Sequence, residues 1–166
     1  MADIVLDANV LDEFLAQYFG ASNRGTSNFQ TQGRLGKEAV YHINRIRTDH
    51  ECGRLRDVVV ASVLSFVELA RAWRKIDSER LKSHQVAAFL QQPPEWFSLA
   101  PLDEDLVELL LEVPATVVIS GRIQMIELFD AIHVATALSR GTASLLITSD
   151  QRLIAIPGLS GRVFGG

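Results

Sequence analysis

Short, continuous apolar runs alternate along this chain with segments whose apolar residues recur every three or four positions. Ile4-Val5-Leu6, Val58-Val59-Val60-Ala61, Trp96-Phe97-Ser98-Leu99 and Leu145-Leu146-Ile147 are of the first kind and predict buried strands. Val163-Phe164 predicts a terminal edge strand. Val10, Leu11, Phe14, Leu15 and Tyr18 have helical spacing, so a helix is expected over about residues 10–19. Further helices are expected over 35–52, from Leu64 to Trp73, over 78–91 up to Pro93-Pro94, over 103–112, and over 122–139 with Gly141 closing it. Residues 21–34, rich in Ser, Asn, Gly, Thr and Gln, are expected to form a mobile loop. Buried strands alternating with helices predict an α/β fold: a mostly parallel sheet with helices on both faces.

Composition narrows the class. The 166 residues suit a single domain, 1–166, and 48% hydrophobic residues rule out disorder as the main state. Cys52 is the only cysteine, which excludes a disulfide scaffold and points to a reducing compartment. No apolar run reaches the ~18 residues of a membrane span, and no basic signal segment opens the chain, so a cytoplasmic protein without membrane contact is expected. Net charge is −4. It is unevenly spread: residues 1–83 carry twelve bases and eleven acids, residues 84–166 four and nine. That is not the profile of a strongly basic nucleic-acid binder. A polyanion would need a local basic patch or bound cations.

Four acids change the picture. Asp7 and Asp150 end predicted strands, Glu68 opens the helix after the second strand, and Asp130 interrupts an apolar helix face. Ligands of open α/β sheets bind beyond the carboxyl ends of the strands, so these side chains are expected at one edge. Two carboxylates 4 Å apart repel by ~1 kcal/mol in water and ~4 kcal/mol at an effective dielectric of 20. No nearby lysine or arginine stands out as a counterion, so a hard divalent cation, Mg²⁺ or Mn²⁺, is the simplest compensation. Such a site suits phosphodiester hydrolysis. Asp130 has little structural use within an apolar helix run, but the other three acids also have a plainer reading. Asp7 and Asp150 suit turns or helix caps, and Ser65-x-x-Glu68 suits a capping box.

The stretches Val5-Leu6-Asp7-Ala8-Asn9-Val10-Leu11, Ser65-Phe66-Val67-Glu68-Leu69, Phe129-Asp130-Ala131-Ile132-His133-Val134-Ala135-Thr136-Ala137 and Leu146-Ile147-Thr148-Ser149-Asp150 resemble, in order, the four motifs of PIN-domain ribonucleases. The resemblance spans residues 4–153 and implies a three-layer α/β/α sandwich. It also implies a Mg²⁺- or Mn²⁺-dependent endoribonuclease with Asp7, Glu68, Asp130 and Asp150 as metal-holding catalytic residues, and Asn9 and Thr148 as their support. The chain length resembles the VapC-type toxin of toxin–antitoxin pairs, which implies an RNA substrate, a cognate antitoxin and a homodimer. Two departures stand out. Residues 20–57 are longer and more polar than in many such toxins, and Leu153 stands where the family often has an aromatic residue.

Arg71, Arg74 and Lys75, on one helix face beyond Glu68, are candidate RNA contacts. Arg34, Lys37, Arg45, Arg47, Arg54 and Arg56 form a second basic stretch. An ordinary solvated face is the slightly favoured reading of each. The apolar side of the first helix is read as an antitoxin groove or as core. His133, one turn from Asp130, is read as packing or site lining, and His42, His50, His84 and Cys52 as bystanders. A non-catalytic PIN-like RNA- or protein-binding module remains the main rival. A receiver-type signalling domain is disfavoured, because no lysine follows Lys82.

Overall fold

Residues 2–24, 28–54, 56–75, 83–157 and 163–165 are described by a computed structural model of the chain. Five parallel strands form the sheet: β1 (Ile4–Leu6), β2 (Val59–Ser62), β3 (Phe97–Ala100), β6 (Leu145–Thr148) and β7 (Val163–Gly165), ordered β3-β2-β1-β6-β7. Side chains alternate between its faces. Ile4, Leu6, Val59, Ala61, Phe97 and Ile147 pack under α1 (Ala8–Arg24), α2 (Lys37–Glu51), α3 (Val63–Lys75) and α4 (Ser83–Gln91). Val5, Val60, Ala100 and Leu146 pack on the other side with α6 (Leu128–Ser139) and α7 (Gln151–Ile154). Between β3 and α6 lies α5 (Glu104–Glu112), capped by Asp103, which accepts from the Leu106 N–H, and packed on α6 through Leu106, Ile132 and Ala135. The expected α/β/α layering is therefore present. Leu153 is fully buried in the second core, where an aliphatic side chain fills the space.

Three expectations need correction. Residues 122–139 are not one helix. Thr116–Ile119 (β4) and Arg122–Met125 (β5) pair antiparallel, and α6 starts only at Leu128. Ser120 and Gly121 both have positive φ, at 50° and 76°, which closes a two-residue hairpin turn. Tertiary packing selects this hairpin, because Val117 and Ile126 reach the second core.

The first helix also continues through Arg24, beyond its expected end at Gly20. The polar stretch after it is tied down where it is described. The side-chain amide of Gln17 both donates to and accepts from the Gln30 backbone at 2.9 Å, and Asn44 does the same with Phe29. Phe29 stacks on Phe14 with ring centroids 4.9 Å apart. Gly33 has φ +57°, and a Cβ there would come within 2.3 Å of Glu13 Oε2. Residues 25–27, and the expected start of the fourth helix at 78–82, lie outside the described residues.

Candidate functional site

The chain lays down β1, β2 and β3 toward one edge and then returns to place β6 on the other flank of β1. The strand order thus reverses beside β1, and the carboxyl ends of β1 and β6 form the crevice where such sheets bind ligands. Asp7 follows β1 directly and is only 4% exposed. Its N–H donates to the Ile147 carbonyl at 3.1 Å, and its Oδ1 accepts from the Val10 N–H at 2.8 Å, capping α1. Its Oδ2 accepts a short hydrogen bond from the Thr148 hydroxyl, which in turn accepts from the Asp150 N–H at 3.0 Å. One buried hydroxyl therefore joins the ends of the two central strands.

Asp150 caps α7, accepting from the Arg152 N–H at 2.8 Å. The Arg152 side chain folds back onto it, with Nε 3.0 Å from Oδ2 and 3.1 Å from Oδ1. Its Nη2 bonds Asp150 Oδ2 and also lies 2.9 Å from Asp130 Oδ2, while Nη1 donates to the Met125 carbonyl at 3.2 Å. The absence of a nearby counterion was a wrong expectation: an arginine two residues past Asp150 bridges two of the four acids. Asp130 is not in mid-helix either. With α6 starting at Leu128, it sits in the first turn, where the helix dipole favours an anion.

The two bridged acids are tuned in opposite directions. Hydrogen bonds from the Arg152 side chain hold Asp150 below the usual carboxylate range. Burial pushes Asp130 up, helped by the Asp150 charge and opposed by Arg152. A lowered pKa means that Asp150 stabilises the fold above the ordinary carboxylate value of ~3.9 and loses that contribution as pH falls. A raised pKa means that ionising Asp130 costs stability as pH rises above the same value. In chelator-treated protein at pH 7, Asp150→Asn should therefore lower stability by about 1–2 kcal/mol, while Asp130→Asn should leave it unchanged or raise it. Urea melts of the two variants check this, and equal destabilisation by both would contradict the assignment.

Glu68 lies in α3, which begins right after β2. The capping-box reading of Ser65 fails, because α3 starts at Val63 and the Ser62 hydroxyl accepts from the Leu64 N–H. Ser65 instead meets His133 Nδ1 at 3.4 Å. His133, 2% exposed, reaches Glu68 Oε2 with Nε2 at 3.5 Å. That contact makes no hydrogen bond, so Glu68 Oε2 is buried without a hydrogen-bond partner among the described residues. His133 thus stands buried beside Glu68 and Ser65, and its spacing of three from Asp130 was the visible signal.

Asp130 and Asp150 share Arg152, Asp7 joins Asp150 through Thr148, and Glu68 stands with His133 one turn along α6 from Asp130. Among the described residues, no three His, Cys, Asp or Glu side chains converge closely enough to hold a metal ion. Asn9 is exposed in the first turn of α1, and Arg71 is exposed on α3. Arg74 and Lys75 close α3, but their side chains lie outside the described residues. In the second basic stretch Arg45 pairs with Asp57 at 2.9 Å, Arg47 with Glu51 at 3.3 Å and Arg54 with Asp49 at 3.3 Å. A groove of about 320 Å³ beside Pro101, Asp103, Leu109 and Arg140 touches none of the four acids.

A parallel α/β/α sandwich with carboxylates at its switch point is a nuclease-type fold. The chain belongs to the PIN domain family, whose match covers residues 38–159. Strand β1 and Asp7 precede that match, yet β1 lies at the centre of the sheet. No curated protein matches the chain. None of the helices among the described residues is long and apolar enough to cross a membrane.

Proposed function

We propose that this PIN-domain protein is an endoribonuclease dependent on Mg²⁺ or Mn²⁺, with Asp7, Glu68, Asp130 and Asp150 as its metal-holding residues. The observation that carries this reading is the Asp7–Thr148–Asp150 junction at the strand-order reversal. The donor chemistry fits: all four side chains offer hard oxygens, and Glu68 Oε2 is buried with no hydrogen bond from the described residues, His133 Nε2 lying 3.5 Å away. When bound, the ion supplies an acidified water and stabilises the leaving oxygen. The chain's own part is positional. Thr148 fixes the Asp7 carboxylate against the start of α7, the α1 cap aligns it from the other side, and His133 supports Glu68.

The test is cleavage of end-labelled RNA by purified protein in Mn²⁺ and in excess EDTA. Cleavage in Mn²⁺ that EDTA abolishes is the expected result, and cleavage that survives EDTA would end the metal reading. Within this family, a toxin held by a cognate antitoxin is the role we favour. Expression should then arrest growth, and co-expression of a small neighbouring gene product should restore it. Arg152 favours one second reading, because a guanidinium bonded to both Asp130 and Asp150 suits a PIN-like module that binds RNA or protein without turnover. RNA retention without cleavage in any divalent ion would select that reading.

A further inference from the structure

The Arg152 guanidinium is the most heavily bonded charged group among the described residues of the site. It donates to both oxygens of Asp150, to Oδ2 of Asp130 and to the Met125 carbonyl. Glu127 Oε1 lies 3.9 Å away on the solvent side. Its side chain is 26% exposed, against 19% for Asp130 and 23% for Asp150, so water screens the bridge only in part. Short hydrogen bonds between ionised partners are roughly twice as strong as neutral ones, and a planar fork fits a carboxylate at two points. Arg152 thus holds three of the four carboxylate oxygens that Asp130 and Asp150 would offer a cation.

We propose that Arg152 is a built-in counterion for the metal-free site, which a divalent cation must displace from Asp130 and Asp150, so that this arginine sets how tightly the chain binds its metal. The inference rests on the metal-dependent reading above. It follows from placement and charge: a guanidinium bonded to three of the four oxygens stands between the two carboxylates, and its positive charge repels a cation there. The bridge offsets part of the repulsion that the two carboxylates would otherwise suffer and holds them together in the metal-free chain. Metal binding then requires Arg152 to swing away. The chain α7 carries it on is a single turn, and solvent lies beside it at Glu127.

A different role gives the opposite sign. If Arg152 stays in place and only positions the carboxylates for the ion, removing it weakens metal binding. The experiment is calorimetric titration of Mn²⁺ into the metal-free full chain, as wild type, Arg152→Gln, Arg152→Lys and Asp130→Asn. Arg152→Gln should bind Mn²⁺ at least about tenfold more tightly, equivalent to ~1.4 kcal/mol. It should also melt lower than wild type without metal and gain more in melting temperature from Mn²⁺. Arg152→Lys, which keeps the charge but loses the fork, should fall between the two. Equal or weaker Mn²⁺ binding by Arg152→Gln, with binding by wild type intact and lost in Asp130→Asn, overturns the counterion role and leaves the metal site standing. No Mn²⁺ binding by either wild type or Arg152→Gln overturns the metal reading and this inference with it.

Discussion

Asp130→Asn should lower RNA cleavage by about 100-fold or more, which is ~2.7 kcal/mol or more of lost transition-state stabilisation. It should do so in a protein that still folds. The substitution keeps the shape of the side chain and removes its charge. Burial already disfavours that charge, so the neutral amide suits the site at least as well in the metal-free state. The Asn side chain keeps one oxygen for Arg152, so the start of α6 retains its packing on α5. The check is paired: single-turnover cleavage in Mn²⁺ beside the far-ultraviolet circular dichroism and urea midpoint of the same preparation. Undiminished cleavage removes Asp130 from the catalytic set. Loss of cleavage together with loss of fold would instead make Asp130 a structural residue of the first turn.

Phe14→Ala has the largest expected effect on stability, about 3–5 kcal/mol, out of the ~5–15 kcal/mol that holds a typical domain folded. Phe14 is fully buried and is the hub of an aromatic cluster. It stacks on Phe29 and Phe97 and meets Phe89 and Trp96 edge-on, so α1, β3, α4 and the polar stretch after α1 all converge on one ring. Truncation leaves a cavity that four elements would have to collapse into. Val10, Leu11 and Leu15 are buried with it, so this face of α1 is core rather than an open antitoxin groove. A chemical denaturation curve should show the midpoint falling sharply, and a drop below 1 kcal/mol would mean that the cluster is not packed as described.

Much of the architecture was legible because its signals are local. Runs such as Val59-Val60-Ala61 and Leu145-Leu146-Ile147 are apolar on both faces, which only a strand covered on both sides accommodates. The acidic, amphipathic stretch 103–112 announced α5, and the structure shows Asp103 as its cap. The hairpin at 116–125 was misread, since Ile123, Ile126 and Phe129 also fit a helical period. The contrary signal was the Ser120-Gly121 pair between two β-branched or alternating runs.

The positions of Asp7, Glu68 and Asp150 at the ends or starts of elements came from the sequence alone, as did the expectation that these ends share one edge, whereas Asp130 was misplaced inside a helix expected over 122–139. Local pattern suffices for that, because side-chain polarity and strand termini are properties of neighbouring residues. Which acids touch, and through what, depended on the folded chain. Thr148 reaches Asp7 across 141 positions, His133 reaches Glu68 across the α3–α6 contact, and Arg152 bends back to span Asp150 and Asp130. A long arginine side chain can turn toward solvent or inward, and nothing in Asp150-Gln151-Arg152 decides between the two. The packing of α6 against α7 places Asp130 within its reach, and so only the tertiary structure shows a site held together by its own positive charge.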